Sequence, residues 1–160
     1  MNSQTREDLI ARYAAGYQAV IDALEGISEG ELDARPGAED WTPREIVHHL
    51  ADSETTSAIR LRRLLAEEAP VIPGYDEREF ARVLHYDRPI ESSLEVLQAV
   101  RRSNTTLLER LSGAEWQRAG THSESGPYAV EDWLQIYARH AHDHADQIRR
   151  ARGSARAAKL

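Results

Sequence analysis

Apolar residues recur every three to four positions along four long stretches of the chain, at about 100° per residue, and no stretch sustains the alternation of a strand. This spacing predicts an all-α protein. The first helix is expected over about 5–24, with Ile10, Tyr13, Ala14, Tyr17, Ile21 and Leu24 on one face and Gly26 and Gly30 marking its end. The second opens at Thr42-Pro43, where a hydroxyl cap precedes a proline whose missing N–H costs nothing in the first turn, and Glu45 completes a capping box. It runs to Glu68, ahead of Pro70 and Pro73. After a short helix over 76–84, a third long one follows Pro89, carries Leu94, Leu97, Val100, Leu107, Leu108 and Leu111, and stops at Gly113. Gly, Ser and Pro make 113–127 a loop. The last helix, over about 129–152, has the cleanest stripe: Val130, Trp133, Leu134, Tyr137, Ala141 and Ile148. Gly153 is expected to end it and 154–160 to fray, which leaves 1–153 as one helical domain. Four such helices make a four-helix bundle, and the long connections argue against a simple up-down order.

A length of 160 residues suits one domain, and 41% hydrophobic residues with 29% charged ones describe a folded chain with enough apolar surface to offset ordering entropy. The absence of cysteine changes the picture most. It excludes disulfides, thiolate ligands and a cysteine nucleophile, so any metal has to be held by His, Asp or Glu. A net charge of −7 opposes phosphate backbones, and no nucleic-acid partner is expected. Five cations, Arg149, Arg150, Arg152, Arg156 and Lys159, follow residue 148 with no acid among them; this pattern complements the dipole of the last helix. No apolar run approaches the roughly 18 residues of a membrane span, and Arg6, Glu7 and Asp8 interrupt any signal-peptide core. The expectation is a cytoplasmic protein with no membrane partner.

Seven histidines are the candidate chemistry: His48, His49, His85, His122, His140, His142 and His144. His140 and His144, four apart, stack on the stripe through Tyr137, Ala141 and Ile148, while His142 falls roughly 200° away from His140 and faces solvent. On the second long helix His49 shares the inner side with Ile46, Leu50 and Ser53, and His48 falls with Arg44 and Asp52 on the wet side. His49, His140 and His144 therefore point into one core from two helices, the usual place for a metal in a bundle. Each alone reads as a core histidine with a hydrogen-bonded ring; the pair with a third reads equally well as a site for zinc, nickel, copper or iron. Three ligands would leave a further position on the ion, as catalytic sites do. Ala141 stands where the metalloprotease motif H-E-x-x-H needs its glutamate, and Glu54 lies roughly 140° from His49, so protease chemistry is disfavoured. Arg101 and Asn104 interrupt the apolar face of the third long helix and read as satisfying local backbone or, less readily, orienting a substrate. His85 and His122 read as exposed.

The run Trp41-Thr42-Pro43-Arg44-Glu45-Ile46-Val47-His48-His49-Leu50-Ala51-Asp52-Ser53-Glu54 resembles the W-[ST]-P-x-E-[IVL]-x-x-H-L-x-D-x-E signature of the DinB/YfiT-like superfamily. His140-Ala141-His142-Asp143-His144-Ala145-Asp146-Gln147-Ile148 is similar to its H-x-x-x-H-x-x-Q-I signature. The resemblance implies a DinB-like bundle with a divalent metal, zinc or nickel foremost, on His49, His140 and His144. It also implies a homodimer and a small-molecule substrate, with a low-molecular-weight thiol as cosubstrate in transfer or isomerisation. His122 is carried as a neighbour of the open side of such a site. The leading expectation is a thiol-dependent transferase, because a cysteine-free chain must borrow a sulfur nucleophile. A non-catalytic metal- or ligand-binding stress protein needs the same three ligands and stands as the alternative. A metal-assisted hydrolase is expected to need a carboxylate base that the sequence does not offer.

Overall fold

The Thr42 hydroxyl accepts a hydrogen bond from the Glu45 amide and the Glu45 carboxylate accepts one from the Thr42 amide, so the expected capping box and Pro43 start the second long helix where the sequence places it. In the computed structural model, which describes residues 1–157, the element order is α1 (Ser3–Leu24), α2 (Glu29–Leu32), α3 (Pro43–Ala66), β1 (Val71–Ile72), α4 (Glu77–Val83), α5 (Glu91–Leu108), α6 (Gly113–Trp116), β2 (Ala119–His122), β3 (Gly126–Ala129) and α7 (Val130–Ala157). The four long helices are those the periodicity predicts. α1 packs on α7 and α5, and α3 packs on the same two, so α1 and α3 stand on a diagonal although they are consecutive long helices. Simple up-down order is thereby excluded. No described helix is long and apolar enough to cross a membrane.

Several boundaries differ from expectation for local reasons. α5 ends at Leu108 rather than at Gly113, because Ser112 and Glu115 form a second capping box that starts α6. A further box, Ser28 with Glu31, builds α2 across Gly30. The expected loop contains a hairpin, β2 antiparallel to β3, and β1 adds in parallel to β2. These strands are two to four residues long, too short to show a period. α7 continues through Gly153 to Ala157, and 158–160 of the expected tail lie outside the described residues.

The core has two apolar clusters stacked along the bundle. One gathers Tyr13, Leu61, Leu64, Trp133 and Tyr137; the other gathers Val20, Ile46, Leu50, Leu97, Ala141 and Ile148. Fully buried Glu54, Arg101 and Asn104 separate them. The buried line of α1 runs through Tyr13, Gly16, Val20 and Ala23, which leaves Ala14 exposed and corrects the expected stripe. Gly16 sits in that line because a Cβ there would stand 2.9 Å from the Ala141 Cβ and against the Arg101 guanidinium.

α3 is buried on two faces, which corrects the placement of His48. Tyr86, Arg88 and Ser93 cover the side expected to be wet, and His48 is 0% exposed. Its Nε2–H donates to the Arg88 carbonyl at 3.0 Å, and its Nδ1 accepts from the Ser93 hydroxyl at 2.8 Å. Arg44 on the same face is held by Asp33 and Glu29, and Asp52 accepts from the Tyr86 hydroxyl.

Candidate metal centre

Two helices supply the three histidines that the wheels select. His49 comes from the second turn of α3, where Trp41 packs edge-on against its ring at 4.6 Å between centroids. His140 and His144 come from successive turns of α7. One ring nitrogen from each lies within 4.8 Å of the others, and no carboxylate among the described residues joins the group. The rings stand edge to face, 5.4 Å apart for His49 and His140 and 4.8 Å for His49 and His144.

The Nε2 atoms of His140 and His144 are 3.2 Å apart. Two nitrogens of a tetrahedral zinc centre, each about 2.0–2.1 Å from the ion, stand about 3.3–3.4 Å apart, so the pair is already spaced as ligands. His144 Nδ1–H donates to Gln147 Oε1 at 2.9 Å, which leaves its Nε2 lone pair free to bind. Nδ1 of His49 and of His140 is buried with no hydrogen-bond partner. Such unsatisfied nitrogens argue against three ordinary core histidines, whose rings would be bonded.

Burial keeps all three imidazoles neutral. It draws His49 down to about 3, aided by the nearby His144, and lowers His140 and His144 below the ordinary histidine value. Neutral imidazole is the ligand form. The donor set, three nitrogens without thiolate or carboxylate, fits zinc or nickel.

The other candidates fall outside the group. His142 does not face open solvent; it turns to α1 and its Nε2–H donates to the Arg12 carbonyl at 2.9 Å. His85 is exposed at the end of α4, with φ 54°. His122, half-buried at the end of β2, packs on the Tyr128 ring and does not join the three. Glu54 is fully buried but committed, accepting from the Tyr13 hydroxyl and from Arg101. Arg101 and Asn104 serve this network, Asn104 donating to the same Tyr13 hydroxyl, so neither orients a substrate. Gln147 stands in the second signature without a role of its own; its place three residues after His144 is the signal for the ring-orienting partner it proves to be.

A family model described as the DinB superfamily matches residues 12–148. A protein of Oceanobacillus iheyensis is 38% identical over 122 residues, which cover 76% of this chain and 71% of that protein. YfiT of Bacillus subtilis is 34% identical over 128 residues, 79% of this chain and 72% of its own length. Both carry the name "Putative metal-dependent hydrolase". A solved structure of YfiT, described as having an unusual four-helix bundle topology, superimposes with a TM-score of 0.89 at 28% identity, covering 94% of this chain and 87% of that one.

Proposed function

The chain belongs to the DinB superfamily, and on that premise we propose that it is a metal-dependent enzyme whose divalent ion is held by His49, His140 and His144. The observation that carries this reading is the convergence of three neutral imidazoles, His49 buried and His140 and His144 half-buried, with one ring already oriented by Gln147. An ion so held supplies a Lewis acid that lowers the pKa of a thiol or water reaching its remaining position.

The reaction we favour is transfer from a low-molecular-weight thiol to a small electrophile. Its support is chemical. The chain has no cysteine, and its buried carboxylate Glu54 is held by Arg101 and Tyr13 rather than available as a base. The nucleophile then arrives with the cosubstrate, while the histidines hold the ion and the apolar wall of Trp41 excludes water from His49. Hydrolysis is the second reading, favoured by the names of the relatives. A homodimer acting in the cytoplasm completes the proposal.

The test is turnover of a small electrophile panel by zinc- and nickel-loaded protein with and without added thiol. Turnover that requires both metal and thiol is expected. Thiol-independent hydrolysis lost in His140→Ala would replace transfer by hydrolysis, and full metal loading without any turnover would favour a binding protein.

A further inference from the structure

Beyond the three histidines, the inner stripes of α3 and α7 carry a second polar group, whose hydrogen-bonding capacity the bundle uses only in part. Ser53 lies one turn after His49, and Arg60 lies two turns further along the same side of α3. Tyr137 lies one turn before His140 on α7, its ring 5.8 Å from that imidazole. Arg60 Nη1 donates to the Tyr137 hydroxyl at 3.2 Å and Nη2 donates to the Pro73 carbonyl at 2.9 Å. One tyrosine ring thus stands between the guanidinium and the histidines. Side chains on a helix lean toward its N-terminus, so Arg60 reaches back in the direction of His49.

The guanidinium is pinned but unspent. Of its five N–H donors, three make no hydrogen bond, and Nε is buried without a partner. Its carbon lies 5.6 Å over the Tyr75 ring, whose own hydroxyl is buried beside Ser53. Burial raises the Glu77 carboxyl above its ordinary range and the Arg60 charge opposes that rise, yet the two form no ion pair among the described residues. Arg44, Arg101 and Arg6 are matched by carboxylates; half-buried Arg118 and Arg88, like Arg60, donate to backbone carbonyls, but neither leaves a buried nitrogen without a partner as Arg60 does. A half-buried guanidinium held flat by a carbonyl and a hydroxyl, with donors to spare, is built to receive a planar anion. One cation that already shares its field with Glu77 supports a single negative charge, which favours a carboxylate over a phosphate dianion.

We propose that Arg60, with Tyr137 and Tyr75, forms the subsite for the carboxylate of a small organic acid whose other end reaches the three histidines. This rests on the metal-enzyme reading above and names the substrate class for it. A carboxylic acid with a few carbon atoms between its anionic and reacting ends is the ligand that spans the two groups.

The probes are mercaptohexanoate and its uncharged match mercaptohexanol, titrated by calorimetry and by absorption into cobalt-loaded wild type, Arg60→Met and Arg60→Lys. Metal content and thermal midpoint are measured for each variant, since neither substitution touches a histidine. The acid is expected to bind wild type at least about tenfold more tightly than the alcohol, the strength of one charge-assisted contact. Arg60→Met should abolish that preference, Arg60→Lys should restore part of it, and the alcohol should bind all three alike. Equal binding of acid and alcohol by wild type, or an acid preference that survives Arg60→Met, overturns the subsite. An Arg60-dependent acid preference without a sulfur-to-cobalt absorption band supports the subsite and counts instead against the thiol reaction.

Discussion

The hydrogen bond from His144 Nδ1–H to Gln147 Oε1 decides which nitrogen of that ring presents its lone pair to the centre. Gln147→Leu should therefore keep the fold and weaken zinc binding about 10–100-fold, measured by competition with a chromophoric chelator. His49→Ala, His140→Ala and His144→Ala should each abolish stoichiometric binding, whereas His142→Ala, altering a ring turned toward α1, should not. His48→Ala separates stability from binding: it leaves the Ser93 hydroxyl and the Arg88 carbonyl unpaired in a buried place and should cost about 1–3 kcal/mol while metal is retained. The same three rings set a pH dependence. Their folded pKa values lie below the unfolded value near 6.5, so unfolding of the metal-free protein takes up protons once the pH falls below that value. Stability should then fall from about pH 6.5 downward, by up to about 1.4 kcal/mol per pH unit for each imidazole, and level off for His49 only near pH 3. Urea midpoints between pH 7 and pH 5 with chelator present check this, and His140→Leu should show a shallower slope than wild type. Equal slopes would mean that His140 is protonated in the folded state.

At the scale of elements, α1 shows both what the pattern reveals and what it hides. Its helical period is legible from the apolar residues, yet the buried line passes through Gly16, whose role depends on an arginine from α5 and an alanine from α7. Hydrophobic periodicity counts side chains and cannot see a position kept small for its neighbours. Gly16→Ala should cost about 1–3 kcal/mol from overpacking, outweighing the roughly 1 kcal/mol alanine gains in a helix interior; denaturant midpoints would show it. α3 fails the same reading from the opposite side, because its second buried face is polar: His48 and Arg44 are covered by residues of other segments. The candidate site was legible because i and i+4 on α7 and one inward position on α3 follow from local geometry alone. The hairpin was not, since its strands owe their pairing to β1 and to one another rather than to any run of their own. The C-terminal arginines were misread for a similar reason. Arg152 donates to the carbonyls of Ala23 and Glu25 and so satisfies the end of α1, and Arg149 donates to that of Ala19 a turn earlier, rather than both only complementing their own helix dipole.

Across the whole molecule, one side chain connects all four long helices. Arg101 of α5 donates to Glu54 of α3, to the Tyr13 carbonyl of α1 and to the Tyr137 carbonyl of α7, and its guanidinium lies 3.9 Å over the Tyr13 ring. The diagonal pair α1 and α3 is closed through the same centre by the Tyr13 hydroxyl, which donates to Glu54 at 2.7 Å. This polar layer lies between the two apolar clusters and ties Glu54 of α3, through Arg101, to the Tyr137 carbonyl of α7, one turn before His140; it is expected to hold the register of α3 against α7. Removing one partner leaves the other charged and buried. Arg101→Met should therefore destabilise by about 3–5 kcal/mol. Replacing both, Arg101→Met with Glu54→Leu, restores an apolar layer and should recover much of that loss, because the desolvation of the ion pair disappears along with its attraction. Stability and metal affinity should then part company: the double variant should approach wild type in its urea midpoint yet bind zinc more weakly, its helices no longer held in one register. A double variant that recovered full zinc affinity would show that the apolar clusters alone set the spacing of the histidines, and that the buried pair serves stability only.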